Sequence, residues 1–503
     1  MKRLLAAAVV AAVATGVGVA TTGTAAAAET IVVPSSGSLT VTGHGYGHGH
    51  GLSQYGSRGA ALQGVAAAQI VSFYYPGTTA ATLPNTNVRV QLTANGGQPM
   101  AVSSHSALQV RDAVTGAVTA LTTAYPMWRI SYSTTYGYLL QYLSASVWNT
   151  LRTSPHAQGF VGGYTNRLFP ASAATVNFTS VPSVGYRGEL RLVWTGASLI
   201  TVNYVLMDLY LRSVVPRESP ASWPAAALQA QAIAARSYSG YKRATGTSRL
   251  YDVYDTTADQ VYGGYVHYAN WAATGVIQED SRTDAAVAAT ANQFRMYGGT
   301  PIFAQFGSSN GGFSSAGSVP YLRAAADPWE KYSSNPYATW TTSAAVTSLR
   351  SLAGLTTLTQ MVLTRETPSG GHVSSVAFTG TNSSGQAVTV TRTGDAMRSY
   401  FGWRSTYFGF DTGANDGGPT GPWPLTGDQV FAAQGSARVI NGVPESQAVY
   451  RPYIAAIQRE AAVAQTSRYD SATVAGVARW QGLVGLPQTG VVDANTWQVM
   501  TVR

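Results

Sequence analysis

The segment Val215-Pro216-Arg217-Glu218-Ser219-Pro220-Ala221-Ser222-Trp223-Pro224 sets one carboxylate between prolines and an indole, just ahead of a strongly helical stretch. Proline fixes φ and removes a backbone donor, so this spacing predicts a rigid turn around Glu218. The helix after it reads Ala225 to Tyr241, with Leu228, Ala232, Ala235 and Tyr238 recurring at helical spacing. Ser222 is its expected N-cap, and Pro224 falls in the first turn, where a missing N–H costs nothing. A carboxylate held beside apolar rings loses hydration in its charged form. It then keeps its proton to higher pH and can hand it to a leaving group. Cleavage of a glycosidic bond needs such an acid, because an unprotonated alkoxide leaves poorly. The same residue also reads as an exposed Glu near a helix N-terminus, where the macrodipole lowers the pKa. The residues alone leave both readings open.

The ends of the chain bound the rest. Met1-Lys2-Arg3, an apolar run from Leu4 to about Ala20 and the small residues Thr24-Ala25-Ala26-Ala27-Ala28 predict a secretory signal peptide over residues 1–28. An uncleaved anchor is the alternative. No later stretch approaches the ~20 apolar residues that span a bilayer, so the expected product is secreted and extracellular, with no membrane partner after cleavage. About 475 residues then remain, enough for two or three domains. The chain has no Cys, so its stability must come from packed cores rather than disulfides. Its formal charge of +9 falls to +7 without Lys2 and Arg3. With no run of Lys or Arg, that excess argues against a nucleic-acid partner and suits weak attraction to an anionic wall. Only 11% of residues are charged, while Tyr numbers 29 and Trp 11. Such rings can stack on sugars. Most are nevertheless expected in cores and strands.

Organisation follows from pattern. Glu29–Thr42 reads as strand-rich, Gly43–Gly56 as a Gly/His loop, and Arg58–Phe73 as a helix stopped at Tyr75-Pro76-Gly77-Thr78. From Asn87 to about Val202 run short β-branched and aromatic segments: Val88–Leu92, Ala107–Arg111, Met127–Tyr132, Tyr138–Tyr142, Thr175–Phe178, Leu190–Thr195 and Leu199–Val202. Val205–Val214 and Arg282–Ala291 read as helical, and Phe294–Tyr297 with Pro301–Phe306 as a hairpin across Gly298-Gly299. Ala344–Ala353 and Leu355–Gln360 are further helix candidates, and Gln360–Arg365, Val373–Thr379 and Ala387–Arg392 further strands. The expected class is α+β: a β-rich domain over 29–410 with a long helix after the Glu218 turn, a Gly/Pro linker over 411–424, and a small all-α bundle over 425–503.

Three of the seven His lie in one loop, as His44, His48 and His50. Imidazole is the commonest metal ligand, but no fourth ligand stands at a telling spacing. The other readings are a loop that lines a cleft, its glycines letting backbone approach a ligand, and a loop kept for its turns alone. Asp255 and Asp259 are the best-placed second carboxylates, though Asp in such positions more often bends or caps the chain.

Val214 to Pro224 and Ala234-Ala235-Arg236-Ser237-Tyr238 resemble the centre of the SpoIID/LytB family (stage II sporulation protein D). Further matching segments are Val88–Leu92, Tyr186-Arg187-Gly188, Asn203-Tyr204 through Tyr210-Leu211, Gln260–Gly264, Ser308–Gly312 and Met397–Thr406. The resemblance spans roughly residues 40 to 410 and implies a peptidoglycan lytic transglycosylase. Glu218 would act on the bond between N-acetylmuramic acid and N-acetylglucosamine. His48, Ser53, Gln54, Tyr55, Arg236, Tyr262, Ser308 and Ser309 would bind the glycan. The alternative is a non-catalytic wall-binding protein that stimulates a separate amidase. Nothing in the sequence reports a developmental stage, so a spore-specific role has no support there.

Two departures from the family pattern stand out. The Gly-His-Gly-x-Gly-Leu-Ser-Gln-Tyr-Gly motif, which usually follows the closing Arg-Ser-Thr run, here lies at Gly47–Gly56. The motif order is therefore circularly permuted, which predicts that residues 40–80 fold back to the cleft of Glu218. Some members also bind zinc through Cys and His. This chain has no Cys and has Gly307 at a family His position, so no cofactor is expected. Finally, Trp480-Gln481, Gly485-Leu486, Thr489-Gly490-Val491-Val492-Asp493 and Thr496-Trp497 resemble the helical peptidoglycan-binding domain of wall hydrolases. A plain helical bundle without a ligand is the other reading.

Overall fold

A computed structural model describes residues 28–163, 165–169, 178–246, 250–367, 370–411, 431, 451–461, 463, 469–484 and 486–501. The segment expected to be a signal peptide, apart from Ala28, and the expected linker, apart from Asp411, fall outside these residues. The architecture is α+β. Five helices of the first core are α1 (Gln54–Leu62), α2 (Ala67–Tyr74), α3 (Met207–Glu218), α4 (Ala225–Thr245) and α5 (Ser281–Ala289). They pack with two large sheets. In one, Asn87–Leu92 pairs antiparallel with Leu199–Leu206 and parallel with Val253–Tyr254. In the other, Met100–Ser103 lies between Met127–Ser133 and Asn166–Phe169.

Helix α4 is the hub of this core. Ala230, Ala232, Ala234 and Ala235 are fully buried, and their small side chains let α1, α2, α3 and α5 approach closely. The helix begins where the sequence places it but runs one turn further, to Thr245. Its N-cap is Pro224 and makes no side-chain bond, so Ser222 does not cap it. The turn expected around Glu218 is instead the last turn of α3, which continues through Pro216. Buried Tyr210, Leu211, Val214 and Val215 hold that helix in place, outweighing the loss of one proline donor so near its end. It stops at Ser219, which precedes Pro220 and takes the extended conformation (φ −134°, ψ 129°) that such a position favours.

Other expectations are corrected. The single helix over Arg58–Phe73 is two helices, because Gly64 turns left-handed at φ +79° and Gln69 folds its side chain back to the Ala66 N–H. Val205 and Leu206 end a strand rather than begin a helix. Leu355–Gln360 enters the strand Thr357–Thr367, where Leu358 and Met361 are buried among other strands. Phe178 lies in a 3-10 turn, while Thr175–Val176–Asn177 falls outside the described residues. The expected hairpin forms, with Gln293–Tyr297 pairing with Thr300-Pro301.

A second core lies within 29–410 and is separate from the first. The strand Ser38–Gly43 is the middle of three, pairing antiparallel with Trp340–Ala345 on one side and Phe408–Asp411 on the other. Ala28–Val32 adds to the edge of the Thr357–Thr367 strand. Helices α6 (Val346–Ala353) and α7 (Gly394–Phe401) cover these strands, and Val41, Phe378, Met397 and Phe410 fill the centre. A third core joins α8 (Arg451–Glu460), α9 (Ser471–Leu483) and α10 (Ala494–Thr501) around Ile457, Val477 and Trp497. There Gln481 is buried. Its amide donates to the Val491 carbonyl (2.8 Å) and accepts from the Gly490 N–H (2.9 Å), clamping the Thr489–Val492 loop.

Candidate active site

Glu218 ends α3, half-buried, with its carboxylate between two donors. The Val261 N–H donates to Oε1 at 3.0 Å and the Gln54 amide to Oε2 at 3.3 Å. Burial pushes its pKa up, and the two hydrogen bonds act against that rise by favouring the charged form. Its place at the C-terminal end of α3 works with burial, since that end of the macrodipole is negative. Glu218 lies before, not within, the first turn of α4, so the lowering expected from that helix does not apply.

The Val261 donor is positioned from behind. Gln260 is fully buried and accepts from the Tyr210 hydroxyl (2.8 Å) and the Ser239 hydroxyl (2.9 Å), which locks the Gln260–Gly264 loop to α3 and α4. Ser213 Oγ donates to the Gly264 carbonyl at 2.7 Å and adds a second fastening. A Cβ on Gly263 would lie 2.1 Å from the guanidinium of exposed Arg217, a flexible neighbour that would have to shift. Arg217 itself points away and donates to Gln278 Oε1 at 2.8 Å.

Gln54 comes from the N-terminal loop, which folds back as the motif order predicts. Leu52-Ser53 runs parallel to Phe306-Gly307, and Tyr46 exchanges two backbone bonds with Ser309 (2.9 and 3.1 Å). Gly45 and Gly51 take left-handed φ values, and a Cβ on Gly51 would sit 2.1 Å from the Gln305 carbonyl oxygen. Beneath this junction lies a carboxylate that the sequence reading missed. Glu330 accepts from the Ser53 hydroxyl, the Ser309 hydroxyl (2.8 Å), the Asn310 and Gly311 N–H groups (2.7 and 3.1 Å) and the Asn335 amide (3.0 Å). Burial and the neighbouring Asp327 push Glu330 up to about 7. Asp327, raised by its own burial, accepts from the Tyr74 hydroxyl (2.7 Å) and the Asn310 amide (2.8 Å).

The remaining expected residues divide. Tyr55 stays half-exposed beside Trp223, and Gln54 touches Glu218. Ser53 and Ser309 are buried on Glu330, and Ser53 also caps α1 through the Gly56 N–H. Neither offers its hydroxyl to a cleft. Ser308 is half-buried and accepts from the Tyr55 N–H through its carbonyl. Arg236 is buried on α4, paired with Asp208 at 2.9 Å, and supports the packing of α3, α4 and α5. The Tyr262 hydroxyl is spent on Asn203 at 2.7 Å inside the core. His48 accepts the His50 N–H on Nδ1 (2.9 Å) and stacks on His50, and burial lowers its pKa to about 4, so it is neutral near pH 7. It too holds the loop.

Asp255 accepts from Thr93, and Asp259 from Tyr238 while pairing with Lys242 at 2.8 Å, so neither faces Glu218. Among the described residues no group of three or more His, Asp or Glu could hold a metal ion.

Residues 195–297 match the family described as "Stage II sporulation protein", and residues 455–500 match the "Putative peptidoglycan binding domain". The chain is similar to the amidase enhancer of Bacillus subtilis, with 35% identity over 187 residues, 36% of this chain and 23% of that protein. It is also similar to stage II sporulation protein D of the same organism, with 30% identity over 159 residues (29% and 45%). An uncharacterised protein of Brachyspira hyodysenteriae is 32% identical over 146 residues (28% and 37%). In each case the match covers less than half of the relative's own length. The similarity is therefore one of segments: the central segment, which carries Glu218 and the Gln260–Gly264 loop, is similar to the stage II sporulation protein family, and the C-terminal segment to the peptidoglycan-binding type.

Proposed function

We propose that this protein acts at the bacterial cell wall and cleaves peptidoglycan glycan strands as a lytic transglycosylase. The observation that carries the reading is Glu218: buried enough for its pKa to rise, held by two neutral donors, and paired with no cation among the described residues. The protonated carboxyl donates to the glycosidic oxygen as the bond from muramic acid C1 to that oxygen breaks. The bonding electron pair leaves with the oxygen of N-acetylglucosamine. The resulting carboxylate takes the proton of the muramic acid C6 hydroxyl while that oxygen bonds to C1, closing a 1,6-anhydro ring. Glu218 ends protonated, as it began, and no water is consumed. One carboxylate suffices, in keeping with the commitment of Asp255 and Asp259 elsewhere, whereas ordinary glycoside hydrolysis uses two. The scheme calls for no cofactor. The C-terminal segment would hold the wall, and a secreted location follows from the same reading. Among the described residues no helix is long and apolar enough to cross a membrane.

The second reading is stimulation of a separate wall amidase without glycan cleavage, favoured by the relative named an amidase enhancer. Purified peptidoglycan, whole and peptide-stripped, would be digested with the full chain and with Glu218→Gln, and the products weighed by mass spectrometry. Anhydro-muramyl ends from the native chain, reduced roughly 100-fold or more by the substitution, support the first reading. Ordinary reducing ends would replace it with hydrolysis. No glycan products, together with faster stem-peptide release when an amidase is added, would put the second reading in its place.

A further inference from the structure

Four aromatic rings form a continuous rib. Trp223 lies 5.1 Å from Tyr55, Tyr55 lies 5.9 Å from Tyr337, and Tyr337 lies 5.0 Å from Tyr46, centroid to centroid. Two of its members are chain neighbours of the Glu218 site: Tyr55 follows Gln54, whose amide touches the Glu218 carboxylate, and Trp223 lies five residues after Glu218. None of the four belongs to a hydrophobic core, and Tyr46 is 47% exposed. Large rings left half-exposed in a row are costly to keep in water unless something covers them.

Their positions are fixed by backbone rather than by packing. Tyr46 is tied to Ser309 by two backbone bonds, and the Tyr337 carbonyl accepts from the Gly45 N–H at 2.8 Å. The Tyr337 N–H donates to Asn335, which in turn donates to Glu330. Two guanidinium groups flank the rib: Arg58 lies 5.6 Å from the Trp223 ring and Arg404 5.6 Å from the Tyr337 ring. Arg404 is exposed.

We propose that this rib is an extended glycan subsite. A peptidoglycan strand bound at Glu218 would continue over Trp223, Tyr55, Tyr337 and Tyr46, with its carboxylates meeting Arg58 and Arg404. The inference rests on the glycan-cleaving reading above. Pyranose rings offer apolar C–H faces and polar rims, which match half-exposed aromatic faces edged by hydroxyls. The alternation of neutral sugars with acidic substituents matches rings bordered by cations. A partner protein's apolar anchor would need a pocket rather than an open row of tilted rings.

The test uses the full chain carrying Glu218→Gln to stop turnover, titrated calorimetrically with purified short and long soluble glycan fragments (a disaccharide and an octasaccharide of the wall repeat). Tyr46→Ala and Tyr337→Ala are each added to that background, with Tyr337→Phe as a variant that keeps the ring. Each alanine should weaken octasaccharide binding roughly two- to tenfold, the range of a single aromatic contact. The disaccharide should be unaffected, and Tyr337→Phe should match the parent. All variants keep residues 451–501, so binding by that segment cancels. Unchanged octasaccharide affinity in both alanine variants, with the parent still binding, overturns the rib and leaves the glycan reading standing. An equal loss for both fragments also overturns it, since it marks general damage to the loop. A parent that binds neither fragment overturns it too. The digest with the native chain then decides separately whether Glu218 cleaves glycan.

Discussion

At Glu218 burial and the end of α3 favour the proton, while the Gln54 amide and the Val261 N–H favour the charge. An acid must carry its proton to work, so the rate should fall as pH rises through its pKa, and burial moves that fall above the ordinary carboxylate range. Gln54→Leu removes a donor that favours the charged form. Its alkaline limb in a pH–rate profile should therefore move up, and a limb moved down would contradict the assigned role. Glu330 provides a second case. Its pKa of about 7, against an unfolded value near 4.5, means that the folded chain binds more protons between those values, so this group's stabilisation is lost as pH rises from 4.5 to 7. Glu330→Gln should shallow the fall in stability between pH 5 and pH 8, leaving the part that comes from buried Asp327. It should also destabilise by about 1–3 kcal/mol, because an amide NH₂ would then face the donors that a carboxylate accepts. Denaturant unfolding of both chains at pH 5 and pH 8 checks both claims. Glu218 was legible in the sequence because prolines and an indole surround it. Glu330 was not, since Trp329-Glu330-Lys331 looks like any charged surface turn, and its five donors arrive from residues 53, 309, 310, 311 and 335.

Among elements, periodicity found α4, α5 and most strands because each buries one consistent face. It failed at α3, where a proline next to Glu218 argued for a turn and buried Val214 and Val215 prevailed. It failed again at Leu355–Gln360, a short apolar run whose period suits either state until its neighbours are known. Of the eight expected binding residues, His48, Ser53, Ser309, Arg236 and Tyr262 act as fastenings in the structure, a role invisible without their partners. The Gly/His loop gives the sharpest test at this scale. Gly51→Ala forces a left-handed residue to carry a Cβ against the Gln305 carbonyl and should cost about 2 kcal/mol or more, seen as a lowered unfolding midpoint. In the C-terminal segment, Gln481→Ala leaves the Gly490 N–H and the Val491 carbonyl without their partner. The loss should be about 1–3 kcal/mol, read from the melting of that segment.

Across the whole molecule, the early position of the Gly/His motif was readable, and the structure brings its Gln54 to Glu218. The division of residues 29–410 into two hydrophobic cores was not readable, because the strand Ser38–Gly43 belongs to the second while Leu52 belongs to the first, only nine residues on. The third core shares no residue with either. A chain ending after Asp411 should therefore keep its action on soluble glycan while losing retention on insoluble wall, measured by cosedimentation. The fold-back has one more consequence, in time. Residue 54 leaves the ribosome early, yet the strand that flanks its loop closes at residues 408–411 and its buried anchor is residue 330. A nascent chain halted near residue 300 would hold Glu218 with Gln54 untethered, and should be inert in the digest. On the proposed reading, a cell would thus be spared cleavage of its own wall until translation has passed residue 411.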